Sequence, residues 1–243
     1  MSHIHLPDGV LPTWLWVSGF LAAILVWMLF FRLLKKEDLG KRLPLLGMMA
    51  AAMVLGASVE IIPPVYHINL IVVSGFLLGP SLIFLATFVV NVILALFGHG
   101  GITVIGLNTL ILSIEGIAGY YLFRLFWKFF KRLSLATFLA TFIALLISTF
   151  AMIGVVSLGI SHYEELMHHE ENKGIIGFEF GKENKPHHEE LGGETGVNLN
   201  RWLKAIALPL FIGWILEGII TTLMIKYIHR LRPDLLKLES EGP

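Results

Sequence analysis

Residues 62–81 read Ile62-Pro63-Pro64-Val65-Tyr66-His67-Ile68-Asn69-Leu70-Ile71-Val72-Val73-Ser74-Gly75-Phe76-Leu77-Leu78-Gly79-Pro80-Ser81, and their reading decides how many times the chain traverses an apolar layer. The two prolines stiffen the entry. The apolar run 67–79 is short of the roughly 20 residues that one bilayer crossing needs, and it closes on Gly79-Pro80-Ser81, a turn signal. A short helix that does not cross alone, abutting a loop at one membrane face, fits this pattern. Six longer apolar stretches surround it, at 14–34, 44–62, 81–97, 102–122, 135–159 and 202–227. With the short helix the count is seven, and the predicted fold is an all-α polytopic membrane protein, a single membrane domain over residues 1–243.

Composition agrees. Of 243 residues, 56% are hydrophobic and the mean hydropathy is +0.77, whereas ordinary soluble domains are about 45–50% apolar. The formal net charge is zero, so bulk charge suggests no nucleic-acid partner. There is no cysteine, which removes disulfides, zinc–cysteine sites and thiol chemistry and leaves His, Asp, Glu and backbone as metal ligands. The start is polar, lacks a basic stretch and is followed by no small-residue cleavage pattern, so the N-terminus is expected to belong to the mature chain.

Positive charge sets the expected orientation. Arg32, Lys35, Lys36, Lys41 and Arg42 follow the first span. Arg124, Lys128, Lys131 and Arg132 precede the span at 135, and Lys226, Arg230, Arg232 and Lys237 close the chain. With seven spans all three clusters fall on one face, the cytoplasmic one, placing the N-terminus outside and the C-terminus inside. Six spans would divide the clusters between faces. The outer segments are then 1–13, 62–67, 98–101 and 161–200, and they hold nine of the ten histidines; His229 alone is inside.

The first residues carry the sharpest chemistry. A free α-amine, a deprotonated amide and the Nδ1 of an early histidine close fused chelate rings on one metal. With Met1 retained, Met1-Ser2-His3 offers four nitrogens in a plane. With Met1 removed, Ser2-His3 offers three and leaves a position for another histidine. Tetragonal nitrogen coordination suits Ni(II) or Cu(II). His5 is a further candidate, and Pro7-Asp8-Gly9 is turn chemistry that anchors the segment 1–13 ahead of the first span. His67, beyond the prolines, opens the short helix within reach of the same face. Gly98-His99-Gly100-Gly101 permits tight backbone at membrane depth, with His99 a candidate ligand.

Glu60, Glu115, Glu217, Asn91 and Asn108 lie in apolar runs. Such residues are costly in a membrane and face a bundle interior or a pathway. Asn69 and Asn108 are candidates to orient a ligand histidine, with interhelical hydrogen bonding the plainer reading. Gly47-x-x-x-Ala51 and Ala52-x-x-x-Gly56 mark the second span for close packing, within this chain or against a partner. The segment 161–200 has nine glutamates and five histidines, including His168-His169 and His187-His188. It is suited to concentrating divalent cations loosely or to serving as a solvated loop, without the fixed geometry of a primary site.

His3-Ile-His5-Leu-Pro7-Asp8-Gly9-Val-Leu-Pro12, His67 leading into Gly75-Phe-Leu-Leu-Gly79-Pro80, Gly98-His99-Gly100-Gly101-Ile-Thr103 and Gly106-Leu-Asn108-Thr109 together resemble the CbiM/NikM family, substrate-capture subunits of energy-coupling-factor cobalt and nickel transporters of the ABC type. The motifs cover residues 1–125 and the span pattern covers the rest. The resemblance implies a multi-pass protein of a prokaryotic plasma membrane that takes Co(II) or Ni(II) at its extracellular side. The implied site uses the terminal amine and amide of Met1 or Ser2, an early histidine, and a histidine after the second span, which His67 matches. Aligning on the chain terminus selects His3, and aligning on Pro-Asp-Gly selects His5. His3 is favoured because the chelate needs the adjacent amine.

The implied partners are a membrane coupling protein, cytoplasmic ATPase subunits and a small accessory membrane subunit. The implied setting is cobalt or nickel supply, including cobalamin biosynthesis. The chain has no Gly-x-x-x-x-Gly-Lys-Ser/Thr loop, so any ATP use is expected in a separate subunit; the resemblance implies that the chain is not an enzyme and holds no cofactor. An ion-gradient-driven divalent-metal transporter using Glu60, Glu115 and Glu217 is the first alternative. An intramembrane metallohydrolase comes last, since no His-Glu-x-x-His helix is present and such a site needs a general base beside an open metal position.

Overall fold

The computed structural model describes residues 11–33, 36–58, 60–62, 66–98, 100–173 and 199–236. Among them are seven α-helices: α1 Thr13–Leu33, α2 Lys36–Ser58, α3 Ile71–Leu78, α4 Pro80–Leu96, α5 Ile105–Phe130, α6 Leu133–Lys173 and α7 Leu199–Leu231. A two-stranded ladder, β1 Glu60–Ile62 and β2 Tyr66–His67, sits between α2 and α3, and a 3-10 turn, Pro233–Leu236, follows α7. The fold is the all-helical membrane type expected, with this small ladder added.

Four segments are long and apolar enough to cross a membrane: Thr13–Arg32, Ile105–Phe130, Leu133–Gly159 and Leu210–Leu231. Arg42–Ser58 and Pro80–Leu96 are shorter apolar helices. The outer surface is greasy as well. Leu21, Leu25 and Leu29 of α1 are each more than half exposed, an arrangement that lipid rather than water solvates.

Helix limits follow local chemistry. The apolar run at 44–62 does not stay helical to its end. α2 stops at Ser58, whose hydroxyl turns back to the Val54 carbonyl. Beyond it Ile61 and Ile62 favour extended backbone, and Pro63 disfavours helix in the residue before it. Glu60 therefore belongs to a strand rather than to the second span. At its other end α2 begins eight residues before Pro44, in the basic stretch. α3 ends where expected: Gly79 takes a φ of 78°, its N–H caps the Gly75 carbonyl, and Pro80 opens α4. Only glycine adopts that backbone without strain.

All eight residues of α3 are buried. It lies inside the bundle because glycine permits contact with α5. A Cβ on Gly75 would strike the Gly116 carbonyl, and one on Gly116 would strike Ile83. Beyond this crossing Phe76 stacks on Phe123 at 4.6 Å between centroids. α1 meets α5 in the same way, where a Cβ on Gly106 would fall on the Phe20 backbone. The small-residue stripe of α2 is only partly used within this chain: Gly56 abuts the Ile68 carbonyl, while Gly47 has open space around it.

The long helices alternate in direction. Phe30 near the end of α1 meets Phe84 near the start of α4. Thr87 and Asn91 of α4 meet Ser113 and Thr109 of α5 in antiparallel order. Phe142 of α6 meets both Phe211 and Trp214 of α7. One end of the bundle gathers Leu11, Leu15, Val104, Leu107 and Ile111 with Met152, Val155 and Val156 of α6. The starts of α1, α5 and α7 and the ends of α2, α4 and α6 share that end. Arg32, Arg124, Lys128, Arg132 and Arg230 belong to the opposite end, as the seven-span reading requires.

Candidate metal site

Met1, Ser2, His3, His5 and His99 lie outside the described residues, as does most of the 161–200 segment. Its beginning, to Lys173, continues α6. The structure therefore describes the chain that supports His67 rather than the expected ligands together. Among the described residues no group of three His, Asp or Glu side chains converges. His67 lies in β2, and its backbone pairs with that of Glu60 in β1. The ladder is antiparallel with an irregular register: Glu60 opposes His67, and Ile62 opposes Tyr66.

Two residues beyond His67 the chain plunges into the bundle. Asn69 is 3% exposed and ties three elements together. Its Oδ1 accepts from the Ile71 N–H at 2.7 Å, satisfying one of the open donors at the start of α3. Its Nδ2 donates to Glu115 Oε1 on α5. Its backbone N–H donates to Glu217 Oε2 on α7 at 3.3 Å. Ser148 of α6 also hydrogen-bonds Glu115. Both carboxyl groups are fully buried. An ionisable group at this depth is expensive without hydrogen-bond partners.

The surroundings hold little else that is ionisable. α3, α4 and the 133–159 part of α6 contain no Asp, Glu, Lys, Arg or His. Arg124 follows Glu115 by nine residues, roughly 13 Å along the helix, and its guanidinium lies over the Tyr120 ring at 4.7 Å. Glu115 itself is ten residues into α5, roughly 15 Å from its start. That is half of an apolar layer about 30 Å thick.

Asn108, the other residue expected to orient a histidine, is buried in the first turn of α5. Its backbone N–H donates to the Val104 carbonyl at 2.9 Å. The preceding connection has the tight backbone expected of a glycine-rich stretch, with Gly98 and Gly100 at φ of 77° and 105°. Asn91 belongs to a separate neutral cluster. Its Nδ2 donates to the Thr87 carbonyl at 3.0 Å and to Thr109 Oγ1 at 3.3 Å, while Thr87 and Ser113 hydroxyls meet at 2.6 Å.

Sequence reasoning singled out Asn69, Glu115 and Glu217 one at a time and missed that they meet. The available signal was an asparagine just ahead of an apolar run, with single glutamates near the middle of two other spans. Ser148, Thr87 and Ser113 gave no comparable signal, because hydroxyls are common in apolar helices and bond their own backbone.

The chain resembles known proteins over nearly its whole length. The "Cobalt transport protein CbiM" of Geobacter sulfurreducens is 27% identical over 259 residues, an alignment that covers 99% of this chain and 64% of that protein. A Haloquadratum walsbyi protein provisionally named a metal transport protein is 28% identical, covering 98% of this chain and 96% of the relative. A crystal structure described as a truncated transition metal transporter shares the fold, with a TM-score of 0.70 and 20% identity over 93% of this chain and 99% of that one. Residues 5–235 match the family model CbiM, described as a cobalt uptake substrate-specific transmembrane region. The chain is therefore a membrane component of metal transport and belongs to the CbiM family.

Proposed function

We propose that this chain is the substrate-capturing subunit of an energy-coupling-factor importer for Co(II) or Ni(II), taking the metal on the extracellular side of a prokaryotic plasma membrane. The observation that carries the proposal is the alternation of the helices. The ends of α2, α4 and α6 and the starts of α1, α5 and α7 share one end of the bundle, and nine of the ten histidines fall before α1, between α2 and α3, between α4 and α5, or from the last turns of α6 to the start of α7. The opposite end carries the basic clusters, as the cytoplasmic face of a membrane protein does.

In this reading the metal is cargo. The amine and amide of Met1 or Ser2, the imidazole of His3 and that of His67 hold it, with His5 as an additional ligand. Asn69, Asn108 and His99 support the ligands. The 161–200 segment collects cations loosely ahead of the site. Energy comes from separate cytoplasmic ATPases through a membrane coupling protein, with a small accessory membrane subunit completing the assembly. The chain itself catalyses nothing and needs no resident cofactor.

Isothermal titration of the purified chain with Ni(II) and with Co(II) tests the reading. Binding near one equivalent is expected, abolished by His67→Ala and by an unprocessed extension placed before Met1. Unchanged affinity in the extended chain would remove the terminal chelate. The buried carboxyl groups of Glu115 and Glu217 favour one second reading, transport driven by an ion gradient. Uptake by this chain alone in liposomes, without ATPase subunits, would support that reading and displace the first.

A further inference from the structure

Asn69 hydrogen-bonds the segment after β2 to both α5 and α7. Its side chain reaches Glu115 and its backbone N–H reaches Glu217. A main-chain donor matters here because it fixes the path of the backbone itself, two residues from His67. Its third bond, from Ile71 N–H to Oδ1, fixes the start of α3 relative to the same point. Both acceptor carboxyl groups are fully buried, and Ser148 of α6, which also bonds Glu115, is buried with them. A bundle that needed only adhesion between helices has a cheaper device, and this one uses it between α4 and α5, where threonine, serine and asparagine suffice.

Two carboxyl groups at mid-depth are a costly way to hold helices together. They are an effective way to hold a non-helical segment, because each presents an acceptor that a loop can reach without a helical partner. The backbone between Tyr66 and Leu70 has no helix of its own to satisfy its donors.

We propose that Glu115 and Glu217 are positioning residues for the metal-binding segment: through Asn69 they set the depth and direction of the backbone that presents His67, so that metal capture at the end of the bundle is linked to the packing of α5 and α7 in its interior. This rests on His67 being a ligand, as proposed above. Linkage is reciprocal: what the carboxyl groups contribute to metal affinity, bound metal returns as order in α5 and α7. An occupied site thereby changes the interior of the bundle rather than its surface alone.

The test has two arms on the full chain in detergent or nanodiscs. In the first, hydrogen exchange of the peptide spanning 66–71 is measured without metal. Glu217→Ala is expected to speed exchange of the Asn69 amide at least tenfold, whereas Glu217→Gln, which keeps an acceptor oxygen, leaves it close to the parent. In the second, Ni(II) is titrated. Glu115→Ala and Glu217→Ala are expected to weaken binding about 10- to 100-fold, the usual consequence of losing support behind a metal ligand. Glu115→Gln and Glu217→Gln should restore most of the affinity, and Thr87→Val should leave it unchanged.

Exchange unaffected by Glu217→Ala would overturn the anchoring. So would Ni(II) affinity that stays at the parent value in both alanine variants while His67→Ala abolishes it. A parent chain that binds no Ni(II) or Co(II) would instead overturn the capture reading, and the exchange arm would still report on the anchor. If an alanine variant fails to fold, the glutamine variants carry the test: Gln variants that fold yet lose the slow exchange and the affinity would overturn a role for the acceptor geometry.

Discussion

The bundle contains two buried polar clusters built on different principles. Between α4 and α5 the groups are neutral, and they pair side by side along two antiparallel helices: Thr87 with Ser113, and Asn91 with Thr109. On α4, Thr87 and Asn91 also bond their own helix, Thr87 to the Ile83 and Phe84 carbonyls and Asn91 to the Thr87 carbonyl. Losing the contact across the interface therefore leaves neither of these two stranded. Around Asn69 the groups are ionisable, the partner is a short non-helical segment, and the bonds draw in α3, α5, α6 and α7. The first cluster fastens two helices. The second fixes a piece of chain that has no regular structure to hold it.

The contrast is sharpened or broken by substitutions on either side of it. The largest effect is expected at the glycine crossing on which the second cluster depends. Gly116→Val places a side chain against Ile83 and Ile71 in a fully packed interior. Folded, monodisperse protein should be lost in size-exclusion chromatography, since neither α3 nor α5 has room to withdraw. Next comes Asn69→Ala, which removes the bond to Glu115 and the cap on Ile71. It should lower Ni(II) affinity about 10- to 100-fold while the metal-free protein still folds.

Smaller still is the change at the neutral cluster. Asn91→Leu should lower stability in a reversible unfolding assay by about 0.6 kcal/mol, the average found for side-chain hydrogen bonds between membrane helices, and leave metal affinity alone. A loss of affinity there equal to that of Asn69→Ala would erase the distinction between the clusters.

The smallest effect is expected outside the bundle, after α7. Arg232 pairs with Asp234 at 3.0 Å, and the hydrogen bond from the guanidinium holds the Asp234 carboxyl below the usual carboxylate range. A lowered folded-state value means that any stabilisation is complete above the ordinary aspartate range and is lost as the pH falls through the folded value. Both side chains are well exposed, so water and salt screen the pair. Asp234→Asn should leave the thermal midpoint at neutral pH unchanged within error, and the parent should show no inflection attributable to this pair between pH 8 and 5.

Hydropathy and charge made the helices legible. The run 67–79 announced its shortness, and Gly79-Pro80 announced its end, because backbone sterics act locally and are spelled in local sequence. The end of α2 was not legible. Residues 59–62 continue an apolar run interrupted by Glu60 alone, and β-branching together with the following proline separates strand from span. The site was legible as residue types rather than as an assembly. Asn69, Glu115 and Glu217 are 46 and 102 residues apart in sequence steps, and they meet only because Gly75 and Gly116 let α3 settle against α5. That packing depends on atoms a side chain lacks, and no composition or period reports it.

An eight-residue helix enclosed on every side has no contact with lipid. The long spans must reconcile their apolar length with the layer around them by tilting or by deforming it. α3 is excused from that adjustment, since its height is set by contacts inside the bundle, the glycine crossing and Asn69 among them. Thinner or thicker bilayers should therefore tip α1 and α7 while the backbone behind His67 keeps its level relative to the middle of α5, insulating whatever this segment binds from the thickness of the membrane that carries it.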